Sequence, residues 1–226
     1  DAALTVAKNF WVRNQMSAAS VDWLNAALVG GQLKDGYGLV TGDLDDWPFT
    51  GHNGRFEAAG RIVDGDIRFA ADWPVMEGVD ADIAFINNGF AMHGNGNLAG
   101  VPVDRFEAGI ESFRQSHLYV RASSRSDAGA LQGMLKRSPL QKRYGATLDN
   151  VVASGPAAVT FDLLQPLRNE GGGHLRGQVE LRGARLADPR WDVAFDNVRG
   201  VAQYSSEGFN AARLTVSHQG RPGTLA

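Results

Sequence analysis

The stretch GRFEAAGRIVDGDIRFAADWP, residues 54–74, decides the fold class because apolar and polar side chains alternate along it. Phe56 and Ala58 fall on one face of its first half, and Ile67 and Phe69 fall on one face of its second half. A period of two is typical of a β-strand that buries one face and exposes the other. The stretch therefore predicts strands with a single apolar face.

The sequence VDGD, residues 63–66, interrupts this alternation with the residue types of a tight turn. It predicts a hairpin between strands at 54–62 and 65–71. Similar strands follow along the chain, separated by KDG, NNG and GNG, which are also interpreted as turns. No helical pattern of 10–15 residues alternates with these strands, so the sheet is predicted to be antiparallel.

Two segments change to a helical period, near residues 20–29 and 126–137. Ser20 and Ser126 precede them and are predicted N-caps, because a serine side chain can accept from the first free backbone N–H groups. The predicted fold is thus mainly β with two short helices.

The composition excludes several classes of function. The 226 residues carry a net charge of -3 and no cysteine, which argues against nucleic-acid binding, disulfides and zinc-thiolate sites. The five histidines are not at metal-ligand spacing, and Asp43, Asp45 and Asp46 are interpreted as a polar turn rather than a calcium site. The sequence therefore predicts no catalytic residues, no metal and no cofactor, and we do not expect an enzyme.

The apolar face recurs in strand after strand, and its members are the candidate functional residues. Two such sheets could close into a sandwich, or one strongly curved sheet could leave its apolar face as a trough. Large apolar patches rarely stay uncovered, so a trough would imply an apolar ligand. The candidates are Phe56, Ala58, Ile67, Phe69, Ile83, Phe85, Phe106, Ile110, Leu118, Val120, Val159, Phe161, Leu163, Val179, Leu181, Val193 and Phe195.

An enzyme or carbohydrate-binding domain is the third possibility, and it would need acids and tryptophans in one cleft. Trp47, Trp73 and Trp191 each stand beside a proline or a strand. We expect them to pack at hairpin corners instead.

An internal repeat links two distant segments. WPVMEGVDADIAFINNGF, residues 73–90, is similar to WDVAFDNVRGVAQYSSEGF, residues 191–209. The offset is 119 residues from Val79 onward and 118 residues at the leading tryptophans, a slip of one residue. Repeated sheet units suggest an array in which each unit covers its neighbours. We expect one fragment, 1–226, with approximate units at 1–125 and 126–226.

The ordered features DWLNAALVGGQLKDG, GDLDDWPF, the opening stretch, DADIAF, LKRSPL and ASGPAAVTFDLLQPL resemble the YhdP branch of the AsmA-like family. The resemblance implies an elongated, strongly curved antiparallel sheet, forming part of a repeating β-groove of a bridge-like lipid transfer protein. It implies a periplasmic segment of a Gram-negative protein anchored in the inner membrane, with membrane contact only through regions outside this chain.

The implied function is to conduct phospholipid between inner and outer membranes and so support the outer-membrane permeability barrier. The implied partners are phospholipid acyl chains and neighbouring groove segments of the same full-length chain, and the candidate residues would then line the groove. The alternative is a structural or assembly module of the envelope, with a closed β-sandwich core and no lipid conduction.

Overall fold

Fourteen strands form one antiparallel sheet in the computed structural model, which describes residues 1–10, 16–114, 117–167, 172–211 and 213–225. The first seven are β1 Ala2–Ala3, β2 Leu28–Thr41, β3 Arg55–Ile67, β4 Met76–Ile86, β5 Gly89–Leu98, β6 Val101–Ile110 and β7 His117–Asp127. The others are β8 Val152–Ser154, β9 Pro156–Pro166, β10 His174–Asp188, β11 Val193–Ser205, β12 Phe209–Asn210, β13 Leu214–His218 and β14 Arg221–Leu225.

The strands pair nearly in chain order. The path runs β1-β2-β3-β4-β5-β6-β7-β9-β10-β11-β13-β14, while β8 pairs with β10 and β12 pairs with β11. Within the described residues the two ends of this path do not pair, so the sheet is open. The prediction of one antiparallel, mainly β sheet is confirmed. The β-sandwich alternative is wrong, because all strands of the described residues belong to a single sheet.

Among the described residues, three α-helices accompany the sheet: α1 Ala18–Ala27, α2 Ala128–Lys136 and α3 Leu140–Asn150. Two predicted helices are confirmed, but their caps differ. The Ser17 hydroxyl accepts from the backbone N–H of Ser20 at 3.1 Å, and Asp127 caps α2 in place of Ser126. In each case the capping side chain belongs to the last residue with an extended backbone before the helix begins.

Helix α3 was not predicted from the sequence. Its residues, LQKRYGATLDN, are mostly polar and lack a long apolar stripe. It packs on α2 and buries Leu148, so a tertiary contact stabilises a helix that local preference alone does not indicate.

The predicted hairpin at residues 63–66 is wrong, because β3 continues through it. The pairing of β3 with β4 shifts between Ile62 and Gly65, and Asp64 lies at φ +50°. KDG and GNG are likewise irregularities inside β2 and β5, with Asp35 at φ +52°. An extra residue in one strand bends it and increases its twist without ending it. VDGD, KDG and GNG therefore bend the sheet, whereas NNG forms the predicted turn between β4 and β5, with Asn87 at φ +49°.

The curvature brings distant parts of the sheet into contact. Trp73 lies in the connection between β3 and β4, whereas Phe161 lies on β9, with β5, β6 and β7 between them in the sheet. Their ring centroids are nevertheless 5.6 Å apart in an edge-to-face arrangement. The concave face is therefore a trough whose walls meet at this point.

The two segments of the sequence repeat share a local geometry at the 119-residue offset. Gly78 (φ +58°) precedes Val79 in β4, and Asn197 (φ +51°) precedes Val198 in β11. Both valines are 0% exposed. Each segment thus places a buried valine directly after a residue with left-handed backbone.

The hairpins that follow also correspond. Phe85 is directly opposite Phe90, and Tyr204 is directly opposite Phe209. Their ring centroids are 5.6 and 6.0 Å apart. Similar sequence therefore gives a similar aromatic pair at both places.

Candidate functional site

The concave face is built from the apolar members of the alternating strands. Cross-strand pairing carries one row from Ala58 to Phe85, Phe90, Ile110 and Leu118. Ile110 and Leu118 are completely buried, whereas Ala58 and Phe85 are only partly covered. Because side chains alternate between faces of a strand, pairing in register aligns the apolar positions of successive strands on one side.

Helix α1 crosses this trough between its two rims, which are the two rows of strand ends: the β6–β7 connection lies at one rim and the β3–β4 connection at the other. At one rim the Ser20 hydroxyl donates to the carbonyl of Phe113 at 3.4 Å. At the other rim the backbone N–H of Arg68 donates to the carbonyl of Ala27 at 2.8 Å. Leu24, between these ends, is 2% exposed. The helix is thus attached by a hydrogen bond at each rim of the trough.

The indole ring of Trp23 also fixes the position of α1 over the sheet. Trp23 stacks on Phe90 with centroids 5.6 Å apart, and its Nε1–H donates to the carbonyl of Phe69 at 2.7 Å. The ring therefore joins α1 to the floor of the trough and to the β3–β4 connection. Apolar space remains on both sides of the helix.

The space on the β1–β4 side has a volume of about 560 Å³, and we call it the N-terminal chamber. This volume lies within the ~300–1,000 Å³ of typical ligand pockets. Its lining includes Leu4, Leu33, Phe56, Ala58, Phe85 and Phe113.

The space on the other side lies beneath α2 and α3, and we call it the roofed chamber. It has a volume of about 110 Å³. Sheet residues such as Met92, Phe106 and Phe161 form its floor and walls, and Leu131 and Met134 of α2 form its roof. All four methionines of the chain line one of the two chambers, Met16 the N-terminal one and Met76, Met92 and Met134 the roofed one. Methionine adapts to irregular apolar partners because its side chain is flexible and polarizable.

The structure distributes the seventeen candidate residues over three places. Seven line the roofed chamber: Ile67, Phe69, Phe106, Val120, Val159, Phe161 and Val179. Four line the N-terminal chamber: Phe56, Ala58, Ile83 and Phe85. Six line neither chamber: Ile110, Leu118, Leu163, Leu181, Val193 and Phe195.

Most of the last group pack in the interior. Ile110 and Leu118 are 0% exposed, and Leu163 and Leu181 are also buried. Phe195 contacts the ring of His218. Apolar residues selected by the same alternation thus line a chamber in some strands and pack against other side chains in others, depending on what covers that part of the sheet.

Sequence reasoning missed the roof and part of the wall. Leu131, Met134 and Leu135 lie in the predicted second helix, but nothing in the sequence placed that helix over the sheet. The three tryptophans also differ from one another. Trp73 lines the roofed chamber and Trp47 lines the N-terminal chamber, whereas Trp191 is 74% exposed, so its predicted packing is wrong.

Two polar groups of the roofed chamber have partners in the protein. The Tyr204 hydroxyl donates to the carbonyl of Thr160 at 2.6 Å, and burial raises the pKa of this phenol. The Ser124 hydroxyl donates to the carbonyl of Pro102 at 2.5 Å. Both groups are therefore occupied in holding the fold.

The convex face is polar and carries a row of charges across six neighbouring strands. Register pairs each member with the next in the order Asp82, His93, Glu107, Arg121, Asp162 and Arg176. Opposite charges at directly paired positions stabilise a sheet modestly. The two faces of the sheet thus differ sharply in polarity.

Asp162 shows the electrostatics of this row. Burial alone would raise the pKa of Asp162, but hydrogen bonds from Arg176 at 2.9 Å and from His174 at 3.4 Å outweigh it and hold the pKa below its ordinary value.

Over the described part of the chain, no group of three or more histidines and acids could hold a metal ion. In the same residues no helix is both long and apolar enough to cross a membrane.

Residues 3–226 match the family described as YhdP protein. The chain is 26% identical over 214 residues to the protein of Escherichia coli (strain K12) named "Intermembrane phospholipid transporter YhdP". This alignment covers 94% of the chain but 17% of the relative. The relative's name describes a transporter and not an enzyme, and no solved structure matches the chain.

Proposed function

This chain belongs to the YhdP protein family, and from that premise we propose that it is a segment of a hydrophobic groove that conducts phospholipid between membranes. The single observation that carries the proposal is the apolar trough with its two chambers. Eleven of the seventeen residues selected by alternation line those chambers. In this proposal they contact acyl chains.

The energetics favour such a surface. Each exposed CH₂ costs about 0.8 kcal/mol in water, so a 16-carbon chain crossing bare would cost on the order of 12 kcal/mol. An apolar trough removes most of that cost, and the polar headgroup can stay at a wet rim. Transfer of this kind needs no covalent chemistry.

We propose further that the segment works in the periplasm of a Gram-negative bacterium as part of a longer, membrane-anchored chain. Its transport would support the outer-membrane barrier, and membrane contact would occur through other regions. Over most of its length β2 pairs with β3 only, and β14 pairs with β13, within the described residues. A strand edge with free backbone groups accepts another strand, so neighbouring groove segments can extend the sheet there.

The repeat supports an organisation in two units, near 1–125 and 126–226. The valine and aromatic-pair geometry shared by β4 and β11 is the observation behind this division. Each unit would supply one stretch of the same groove.

Lipid extraction from the purified chain, followed by mass spectrometry, tests the function. We expect co-purified phospholipid, and we expect the delipidated chain to take up phospholipid from vesicles. Absence of lipid in both experiments would favour a structural or assembly module of the envelope, and a specific envelope protein in a pull-down would then identify its role.

A further inference from the structure

Helices α2 and α3 cover a chamber that is too small for the ligand that its walls suit. At about 110 Å³ it is below the ~150 Å³ of an apolar cavity that binds benzene. An acyl chain is much longer than benzene. The roofed chamber can therefore hold an acyl chain only in a more open form.

One end of the covering segment is firmly attached to the sheet. The Asp127 carboxylate accepts from the backbone N–H groups of Gly129 at 2.8 Å and Gly155 at 2.6 Å, so it joins the two points where the segment leaves and re-enters the sheet. The side chain of Gln132 accepts from the backbone N–H of Ala153 at 3.1 Å and donates to the carbonyl of Leu148 at 2.6 Å. These bonds involve backbone groups and fix the base of the segment.

The far end is held by an ion pair, two hydrogen bonds, and an edge-to-face contact of Tyr144 with the exposed ring of Phe209, with centroids 5.6 Å apart. Lys142 lies 3.9 Å from Asp72 of the β3–β4 connection, with side chains 83% and 69% exposed. Exposed ion pairs contribute roughly 0–1 kcal/mol. The Tyr144 hydroxyl donates to the carbonyl of Ser206 at 3.0 Å, and Arg137 donates to the carbonyl of Ala99. The ion pair and each of the two hydrogen bonds join the α2–α3 end of the segment, its tip, to a different strand connection: β3–β4, β11–β12 and β5–β6.

The underside of the segment is apolar. Leu131, Met134, Leu135 and Leu140 face the chamber. Lifting the segment exposes these side chains to water unless an apolar chain takes their place. A ligand that binds the open form better than the closed form shifts the population towards it.

We propose that residues 128–150 are a lid hinged at Asp127 and β8, which lifts at its Lys142 end to admit an acyl chain into the roofed chamber. The lid rests on the proposed lipid-carrying function and adds to it a controlled lateral entry. The N-terminal chamber lies outside the lid and accepts an acyl chain without this movement.

The chain contains no cysteine, so a lid-locking cross-link can be placed cleanly. Asp72→Cys with Lys142→Cys, joined by a short bismaleimide, ties the tip to the rim. The matched control joins Arg185→Cys with Asp196→Cys, an exposed ion pair between β10 and β11. Both variants of the 226-residue chain are compared before and after cross-linking, and circular dichroism checks that the fold is retained.

The probe is phosphatidylethanolamine with a photoreactive diazirine on one acyl chain, offered in vesicles. Mass mapping then locates the label near Met134 and Phe161 in the roofed chamber, or near Phe56 and Phe113 in the N-terminal chamber. We expect the lid lock to reduce labelling of the roofed chamber at least tenfold while labelling of the N-terminal chamber persists. The control cross-link and the unlinked variants are expected to label both chambers.

The outcomes separate the two proposals. Equal labelling of the roofed chamber with and without the lock would overturn the lid, and so would labelling confined to the N-terminal chamber in the unlinked chain. No labelling of either chamber in any form would overturn the proposed lipid-carrying function itself, and the lid with it.

Discussion

The Tyr204 side chain passes across Gly177 of the neighbouring strand, and its hydroxyl donates to the carbonyl of Thr160 one strand further on, at 2.6 Å. A Cβ atom at Gly177 would collide with both the Tyr204 hydroxyl and the Thr160 carbonyl. The missing side chain is therefore what lets the phenol bridge three strands. Tyr204 also lines the roofed chamber.

The Gly177→Ala variant is expected to lose about 1–3 kcal/mol of unfolding free energy, because the added methyl group overpacks a filled site. Gly133→Ala is the matched control, since a Cβ there meets nothing within 4 Å and lies in helix α2. That change should stabilise by about 0.5–1 kcal/mol, as alanine favours a helix over glycine. Urea denaturation measures both, and equal effects would contradict the bridge.

Burial raises the pKa of Tyr204, which makes stability sensitive to alkali. Above pH 10 the unfolded chain ionises this phenol, while the folded chain keeps it protonated. The unfolded state thus releases more protons, so the contribution is complete below pH 10 and declines as pH rises further. Tyr204→Phe should show a shallower alkaline decline in unfolding free energy than the wild type.

Absorbance at 295 nm supplies the independent check. The folded wild type should show one tyrosine that fails to ionise in the range in which Tyr204→Phe is fully titrated. Identical titration curves per tyrosine would argue against burial of the Tyr204 hydroxyl.

Filling the N-terminal chamber should block lipid there without unfolding the sheet. Ala58→Phe adds a ring beside Gly38, where a Cβ would meet only the Glu57 carbonyl at 3.9 Å. We expect several-fold less phospholipid retained after purification, with an unchanged melting temperature to within a few degrees. Ala91→Phe places the same ring on an exposed position of the convex face and should retain wild-type lipid. Equal lipid content in the two variants would count against a lipid-binding chamber.

The hinge of the proposed lid can be tested through its cap. Asp127→Ala removes the acceptor for the backbone N–H groups of Gly129 and Gly155, and should cost about 1–2 kcal/mol of unfolding free energy. Ser126→Ala changes the neighbouring residue, which the sequence had suggested as the cap, and should cost less than half as much. Thermal and urea unfolding distinguish these results, and a larger loss for Ser126→Ala would contradict the assigned cap.

Alternation in the sequence was sufficient to predict a one-faced antiparallel sheet, because side chains in a strand alternate whatever lies beyond it. It also selected Phe85 and Phe161, which line chambers, together with Ile110 and Leu118, which are completely buried. Local pattern cannot separate these two groups, since both need an apolar side chain on the same face. Only the position of α1 and α2 over the sheet distinguishes a wall from a core.

The sequence also could not show whether turn-type residues end a strand or only bend it. The Asp64 backbone, with φ +50°, suits a hairpin and a bulge equally well, and nothing within residues 63–66 states which one forms. Pairing with β4 on one side and β2 on the other keeps β3 continuous, so the irregularity bends the strand instead of reversing it. The sequence by itself therefore determined the sheet and its apolar face. The tertiary structure alone decided the curvature and the roof, because both depend on contacts between residues far apart in the chain.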